Sequence, residues 1–397
     1  MRQRTARTGL CALAVSLAVG AATLTPAHAA TPAHAATTAT KDGHEATRDA
    51  LRRWVAEGGM PGVAAMVRDG KETWFGSAGY ADTGTGRKRS PDDHFRAASI
   101  TKMFIATVLL QLEAEGRLSL DDSVETWLPG VVRGNGNDGG EITLRSLLNH
   151  TSGLYNYTAD PDFQVNASGS GFPEHRYDTY APEDLVAVAM KHPPHSAPGG
   201  EPSYSNTNYV LAGMVIEKVT GRSYAQEATR RIIKPLKLRE TSFPGTGPKM
   251  PWPHPVAYSW LHDDSPGAPV HDATEQNMSW LGAAGELIST AGDLNRFDRA
   301  LMRGRLLPRA QLGEMLNTVP SDGGIRYGLG VEVATLTCGV TVVGKTGRTN
   351  GSLSGVVGTE DGTHQLVFNT NGDWLPDSSR YFDVIEAEFC GRAVTDR

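Results

Sequence analysis

The sequence predicts an α/β (α+β) fold: an antiparallel sheet flanked by helices, with a mainly helical lobe inserted between its first and last strands. Three observations predict it. Short runs of β-branched and apolar residues occur near both ends of the chain, at 63–80 and 327–370. Between them the pattern changes to helical spacing broken by loops rich in Gly, Pro, Asp and Tyr. The C-terminal runs follow one another too closely for crossover helices, so they must pair antiparallel.

In order along the chain, Arg2, Arg4 and Arg7 precede an apolar stretch from about Leu10 to Leu24 and a small-x-small site, Ala27-His28-Ala29. Residues 1–29 therefore read as an export signal, and a secreted product is expected. The stretch is shorter than the roughly 20 residues a membrane span needs, and Cys11 stands at its start rather than after it, so no membrane anchor is expected. Residues 30–47 read as a flexible Ala/Thr-rich leader. One domain is expected over 48–390, as an α/β lobe of about 48–140 plus 283–390 and a helical lobe of about 141–282. A tail, 391–397, follows.

Arg48–Gly58 carries Leu51, Trp54 and Val55 at helical spacing, and Val63–Val67 and Thr73–Tyr80 read as strands joined at Asp69-Gly70. An apolar helix begins near Ser99 and runs to about Leu118. Thr143–Leu148, Pro182–Lys191, Asn206–Thr220 (closed by Gly221) and Ser223–Leu236 are further helices. Helices at Ala291–Arg303 and Pro308–Asn317 lead into strands at Tyr327–Leu336, Val340–Gly344, Gly351–Gly358 and Gln365–Thr370. Ser379–Phe389 closes the domain as a helix.

The formal charge is −6, and −9 once the three signal arginines are gone. With no basic stripe, nucleic acid and anionic lipid are not expected partners. Two cysteines remain after the signal, Cys338 and Cys390. In an oxidising compartment they read as one disulfide tying a strand near the sheet centre to the last helix, two free thiols being the alternative. No cofactor or metal is expected. His192-Pro193-Pro194-His195 reads as a solvent-facing turn, and His150 as a capping or packing residue.

Three short motifs carry chemistry. Ser99 and Lys102 lie three apart at the start of the apolar helix, on one face. A buried neutral amine there can take the serine proton, which a solvated lysine cannot. Tyr204-Ser205-Asn206 precedes another apolar helix; the tyrosine can relay a proton and the asparagine can brace a lysine and bind a substrate amide, although for the motif alone a helix cap at Asn206 and a packed tyrosine are the more common explanation. Lys345-Thr346-Gly347 ends a strand, where a cation, a hydroxyl and bare backbone can meet a substrate. An isolated triplet of this kind is more often a solvated turn.

Together, and in this order, the motifs resemble those of the serine β-lactamase/DD-peptidase family, the penicillin-recognising serine hydrolases. Leu147-Leu148-Asn149-His150-Thr151-Ser152-Gly153-Leu154, Tyr204 to Tyr209, Thr274-Glu275-Gln276 with Ser279-Trp280, and Phe389-Cys390-Gly391 extend the resemblance over almost all of the chain from about residue 45. The secreted actinomycete D-alanyl-D-alanine carboxypeptidases are the most similar group, and Tyr-x-Asn resembles the class C side of the family. The resemblance implies a β-lactamase/transpeptidase-like fold and a monomer that cleaves D-alanyl peptides of peptidoglycan type and is acylated by penicillins. It implies Ser99 as nucleophile, Lys102 and Tyr204 as base and acid in either order, and Asn206 as a brace for Lys102 that also binds the substrate amide. The N–H groups of Ser99 and Arg348 would bind the oxyanion, Lys345 and Thr346 would anchor substrate, and Phe163 and Trp280 would wall the cleft. The alternatives are a class C-like β-lactamase, an esterase, amidase or D-aminopeptidase and, less in keeping with an intact Ser99 and Lys102, a penicillin-sensing module.

Two features depart from the carboxypeptidase pattern. Lys345-Thr346-Gly347-Arg348 stands where His-Thr-Gly-Thr is usual, and Glu332 stands where an arginine would hold the substrate's terminal carboxylate. Glu332 is expected either to pair with Arg348 or to leave anion binding to Lys345 and Arg348.

Overall fold

The computed structural model describes residues 43–392, apart from 264, 266, 322–323 and 375–378. The expected signal, the leader up to residue 42 and the tail from 393 lie outside the described residues. Helix α1 (Glu45–Ala56) starts three residues before the expected position and so takes in the end of the expected leader. It buries Thr47, Ala50, Leu51 and Trp54, a stripe of helical period. The hairpin forms as expected: β1 (Gly62–Asp69) and β2 (Glu72–Gly79) turn through Gly70 at φ +54°.

The remaining sheet strands come from the other end of the chain: β3 (Val319–Pro320), β4 (Arg326–Tyr327), β5 (Glu332–Thr335), β6 (Thr341–Thr349), β7 (Ser352–Thr359) and β8 (His364–Thr370). The sheet order is β2-β1-β8-β7-β6-β5-β4-β3, antiparallel throughout. The last strand thus pairs with the first, from Val63 opposite Thr370 to Asp69 opposite His364.

Alternation along the strands sends Val63, Val67, Leu353, Leu366 and Phe368 to the face covered by α1 and the last helix, which runs Ser379–Cys390. Val343, Val356 and Val367 face the larger core. That core is built on three helices: α2 (Thr101–Ala114), α3 (Asn206–Thr220) and α4 (Ala291–Met302), with the Ser379–Cys390 helix becoming α5. Helix α3 ends at Gly221, φ +70°, as expected.

Three differences from the sequence expectations have physical causes. The single strand expected over 327–336 is broken into β4 and β5 because Gly330 adopts φ +81° where the chain passes over α2. A Cβ there would sit 2.7 Å from that of Ala106 and 2.9 Å from the Lys102 carbonyl oxygen. Lys345-Thr346-Gly347 does not end a strand; β6 continues through it to Thr349, held by β7. Cys338 does bond to Cys390, but from the turn between β5 and β6 rather than from a strand near the sheet centre.

Candidate active site

Ser99 stands in a single turn of 3₁₀ helix, Ala98–Ile100, immediately before α2. The preceding residue, Ala98, has φ +50°, a left-handed conformation that costs a residue with a Cβ on the order of 1 kcal/mol or more. Several bonds hold the bend. Thr101 Oγ1 donates to the Ala98 carbonyl (2.6 Å), Ala97 N–H to Leu287 O (2.8 Å), and the Ser352 and Ser354 hydroxyls to Arg96 O (2.8 Å) and Ala97 O (3.0 Å).

Lys102 follows one turn later and is completely buried, because α2 is buried on every side from Met103 to Leu110, with Thr107 its one polar residue there. Its Nζ donates to Asn206 Oδ1 (2.8 Å) and Ala284 O (2.7 Å) and lies 3.0 Å from Ser99 Oγ. Burial, then the charge of Lys345, lower its pKa well below 10.5, with Glu332 opposing. A neutral amine has two N–H groups and one lone pair. The two carbonyl-type oxygens can only accept, so they take both N–H groups and leave the lone pair for the Ser99 hydroxyl.

Tyr204, at the entry to α3, donates to Ser99 Oγ at 2.8 Å. Although 40% of the residue is exposed, burial of its hydroxyl raises its pKa, while Lys345 and the bond to Ser99 act the other way. Asn206, the first residue of α3, also donates through Nδ2 to Thr158 Oγ1 (3.1 Å), which fixes its amide so that Oδ1 faces Lys102.

On the sheet side, Lys345 is buried with its Nζ on Glu332 Oε1, and lies 5.3 Å from the Tyr204 ring centre. Burial works against its charge, but Glu332 and Tyr204 together outweigh it and the pKa rises. The same carboxylate accepts from Thr346 N–H and its hydroxyl, both 3.1 Å. Glu332 therefore pairs with Lys345, and the pairing with Arg348 is not made. In the β5–β6 register Glu332 faces Gly344, and Arg348 lies four residues along, about 13 Å, beyond the reach of a glutamate. Nor is Lys345 left free for an anion.

Gly347 is where β6 passes Ser99. A Cβ there would stand 2.3 Å from Ala97 O and 3.0 Å from the Ser99 backbone nitrogen. Arg348 is exposed and, with Asn206 and Trp280, lines a cavity of about 160 Å³. Phe163 is not part of that lining; it is buried against Tyr157 and Tyr180 at ring distances of 5.2 and 5.3 Å, so its role is packing.

The structure adds two residues to the site, Ala284 and Thr158, and places His150 in the packing and capping role expected of it. Ala284 supplies a backbone carbonyl, and Thr158 a second contact for Asn206. His150 is buried against the Tyr204 ring (4.3 Å), with Nδ1 accepting from Ser205 N–H (3.2 Å) at the start of α3 and from Asn208 Nδ2 (3.0 Å). Burial and the two lysines drive its pKa well below 6.5, so it stays neutral. A residue that contributes only its backbone carbonyl, as Ala284 does, leaves no pattern in a single sequence. His192 is not a solvent-facing turn residue: it is half-buried, stacked on Tyr155 at 3.8 Å and bonded to Asp160 at 2.8 Å.

A serine between a buried lysine and a tyrosine, beside a strand carrying Lys-Thr-Gly, is matched by one family model, that of the beta-lactamases, over residues 47–381. The chain belongs to the beta-lactamase family. Among beta-lactamase-fold structures, it is 56% identical to a D-stereospecific amidohydrolase from Streptomyces sp. (88% of this chain, 99% of that one, TM-score 0.82). It is 28% identical to the D-amino acid amidase of Ochrobactrum anthropi SV3 complexed with D-phenylalanine (88% and 100%, TM-score 0.76). It is also 29% identical over 284 residues to a putative penicillin-binding protein, PbpX, of Bacillus subtilis strain 168. That match takes in 72% of this chain and 65% of the relative, so the chain spans just under two thirds of the curated protein's length.

Proposed function

We propose that this protein is an exported D-stereospecific amidase or aminopeptidase that cleaves amides, esters or short peptides of D-amino acids through an acyl-enzyme on Ser99. The observation that carries the reading is the Glu332–Lys345 pair. A carboxypeptidase needs an uncommitted cation for the substrate's terminal carboxylate. Here the lysine is taken by a glutamate whose own charge repels such a group. A neutral amide or ester end meets no such penalty. The D-stereospecific amidohydrolase and the D-amino acid amidase among the similar structures support the same choice.

In this reading neutral Lys102 takes the Ser99 proton as Oγ attacks the carbonyl carbon. The oxyanion is held by the Ser99 and Arg348 N–H groups, an interaction worth roughly 3–4 kcal/mol per donor in related chemistry. The C–N bond breaks as Tyr204 passes a proton to the departing nitrogen and recovers one from Lys102. Water then attacks the acyl-enzyme by the same path in reverse. Export rests on the N-terminal sequence alone.

The test compares four substrates: D-phenylalanine amide, its L-enantiomer, an acyl-D-Ala-D-Ala peptide and a penicillin. Rapid turnover of the D-amide alone among the four, with an acyl adduct of the D-amide on wild type that Ser99→Ala lacks by intact mass, is expected. D-Alanine release as the fastest reaction would restore the carboxypeptidase reading.

A further inference from the structure

A basic patch lies along α4 and the chain that follows it. Its centre is a cavity of about 600 Å³ walled by the cations Lys237, Arg239, Arg296 and Arg305 and by the acids Glu240 and Asp293. Both acids are already engaged. Glu240 Oε2 meets the His94 ring (3.1 Å), and Asp293 accepts from Glu240 N–H and the Thr241 hydroxyl (both 2.9 Å) and from Arg296 Nη1 (3.1 Å). Lys237, Arg239 and Arg305 pair with no carboxylate among the described residues.

The patch continues along the helix. Arg296 and Arg299 lie three apart on one face of α4, and Arg303 follows at its end. Neutral backbone oxygens fix their guanidinium groups: Arg296 on Lys237 O (2.9 Å), Arg299 on Gly70 O (2.7 Å) and Arg303 on Gly362 O (2.9 Å). A guanidinium has five N–H donors, so each keeps most of them for another partner. Asp361 offsets part of the Arg303 charge. Burial, and then the like charges of Arg68, Arg303 and Arg305, lower the Arg299 pKa, so these cations crowd one another. No basic run is visible in the sequence because the patch is assembled from residue 68, 237–239 and 296–305.

We infer that this patch binds a phosphate-bearing polymer, with one phosphate in the cavity and its neighbours along α4. Like charges gathered in this way repel one another, and in a chain of formal charge −6 they leave one side cationic. A polyanion removes that repulsion. Guanidinium forks match phosphate oxygens, and several forks can share one phosphate. Among the described residues no aromatic ring lines the cavity, so a nucleic acid finds no surface for its bases to stack on. The apolar wall is limited to Pro235 and Leu236, too little to hold a lipid chain.

The test is calorimetric titration with inorganic polyphosphate at two salt concentrations. Four cationic contacts predict roughly 50-fold weaker binding at about 200 mM than at about 50 mM salt. Arg239→Gln combined with Arg305→Gln halves those contacts, and neither side chain has a hydrogen bond to lose among the described residues. Affinity at low salt should fall about tenfold, and the salt effect should shrink to roughly sevenfold. Lys191→Gln combined with Lys218→Gln removes two exposed cations outside the patch and should change neither. No binding at low salt, an Arg239/Arg305 variant that binds as wild type does, or a Lys191/Lys218 variant that weakens equally overturns the inference. Tighter binding of an oligothymidylate or of phosphatidylglycerol vesicles at equal phosphate concentration also overturns it.

Discussion

Two lysines share this site and are pushed in opposite directions, Lys345 by its carboxylate partner and Lys102 by burial and by the charge of Lys345. Lys345 touches Glu332 and stays charged; Lys102 has only neutral oxygens and is driven to the neutral form. Separating two similar groups in this way assigns one to proton transfer and the other to electrostatics. Glu332→Gln removes the one influence that raises Lys102, so the Lys102 pKa should fall further. The acidic limb of the kcat/KM profile for D-phenylalanine amide should then shift to lower pH, and the plateau should drop as Lys345 loses its partner. A limb that stays in place would exclude Lys102 as the titrating base. At this scale the sequence revealed residue types but not partners. Ser99, Lys102, Tyr204, Asn206 and Lys345 are brought together because their chemistry demands those side chains in that order. The Glu332 partner depends on a strand register that a single sequence does not display.

At the scale of elements, the site hangs on β6 staying close to the turn before α2. Gly347→Ala places a methyl group 2.3 Å from Ala97 O and 3.0 Å from the Ser99 nitrogen. Either the strand or the turn must move, so kcat/KM should fall by 10² or more with a far smaller change in KM; unchanged turnover would mean that β6 does not shape the oxyanion site. The bridge from Cys338 to Cys390 closes a loop of 52 residues and fastens the β5–β6 turn to α5. Replacing both cysteines by serine should cost about 2–4 kcal/mol in a urea titration, whereas a loss under 0.5 kcal/mol would show that other contacts already hold α5. The hairpin, the helices and the antiparallel C-terminal strands were legible because alternation and helical spacing are local signals. The break between β4 and β5 was not, since it comes from Gly330 meeting a helix more than 200 residues away in sequence.

For the molecule as a whole, stability should depend on Asp298. This residue of α4 is completely buried against the sheet, neither carboxylate oxygen has a hydrogen-bond partner among the described residues, and Gly358 leaves space for it. Burial pushes its pKa up from 3.8 to about 8. The folded state thus holds a proton that the unfolded chain has released above about pH 4. That contribution is complete below pH 4 and declines by up to roughly 1.4 kcal/mol per pH unit until about pH 8. Asp298→Asn should therefore melt several degrees above wild type at pH 8 and lose its advantage near pH 4. Parallel melting curves across that range would place the proton elsewhere.

The pairing of β1 with β8 also governs how the polypeptide can be made. A ribosome releases Val63–Asp69 some 300 residues before its partner, His364–Thr370. Until then the first hairpin has an unsatisfied edge, and only the closing turns of synthesis supply the strand that seals it. The sheet cannot close before β8 is made, so a chain interrupted before His364 leaves that edge open to association with other chains.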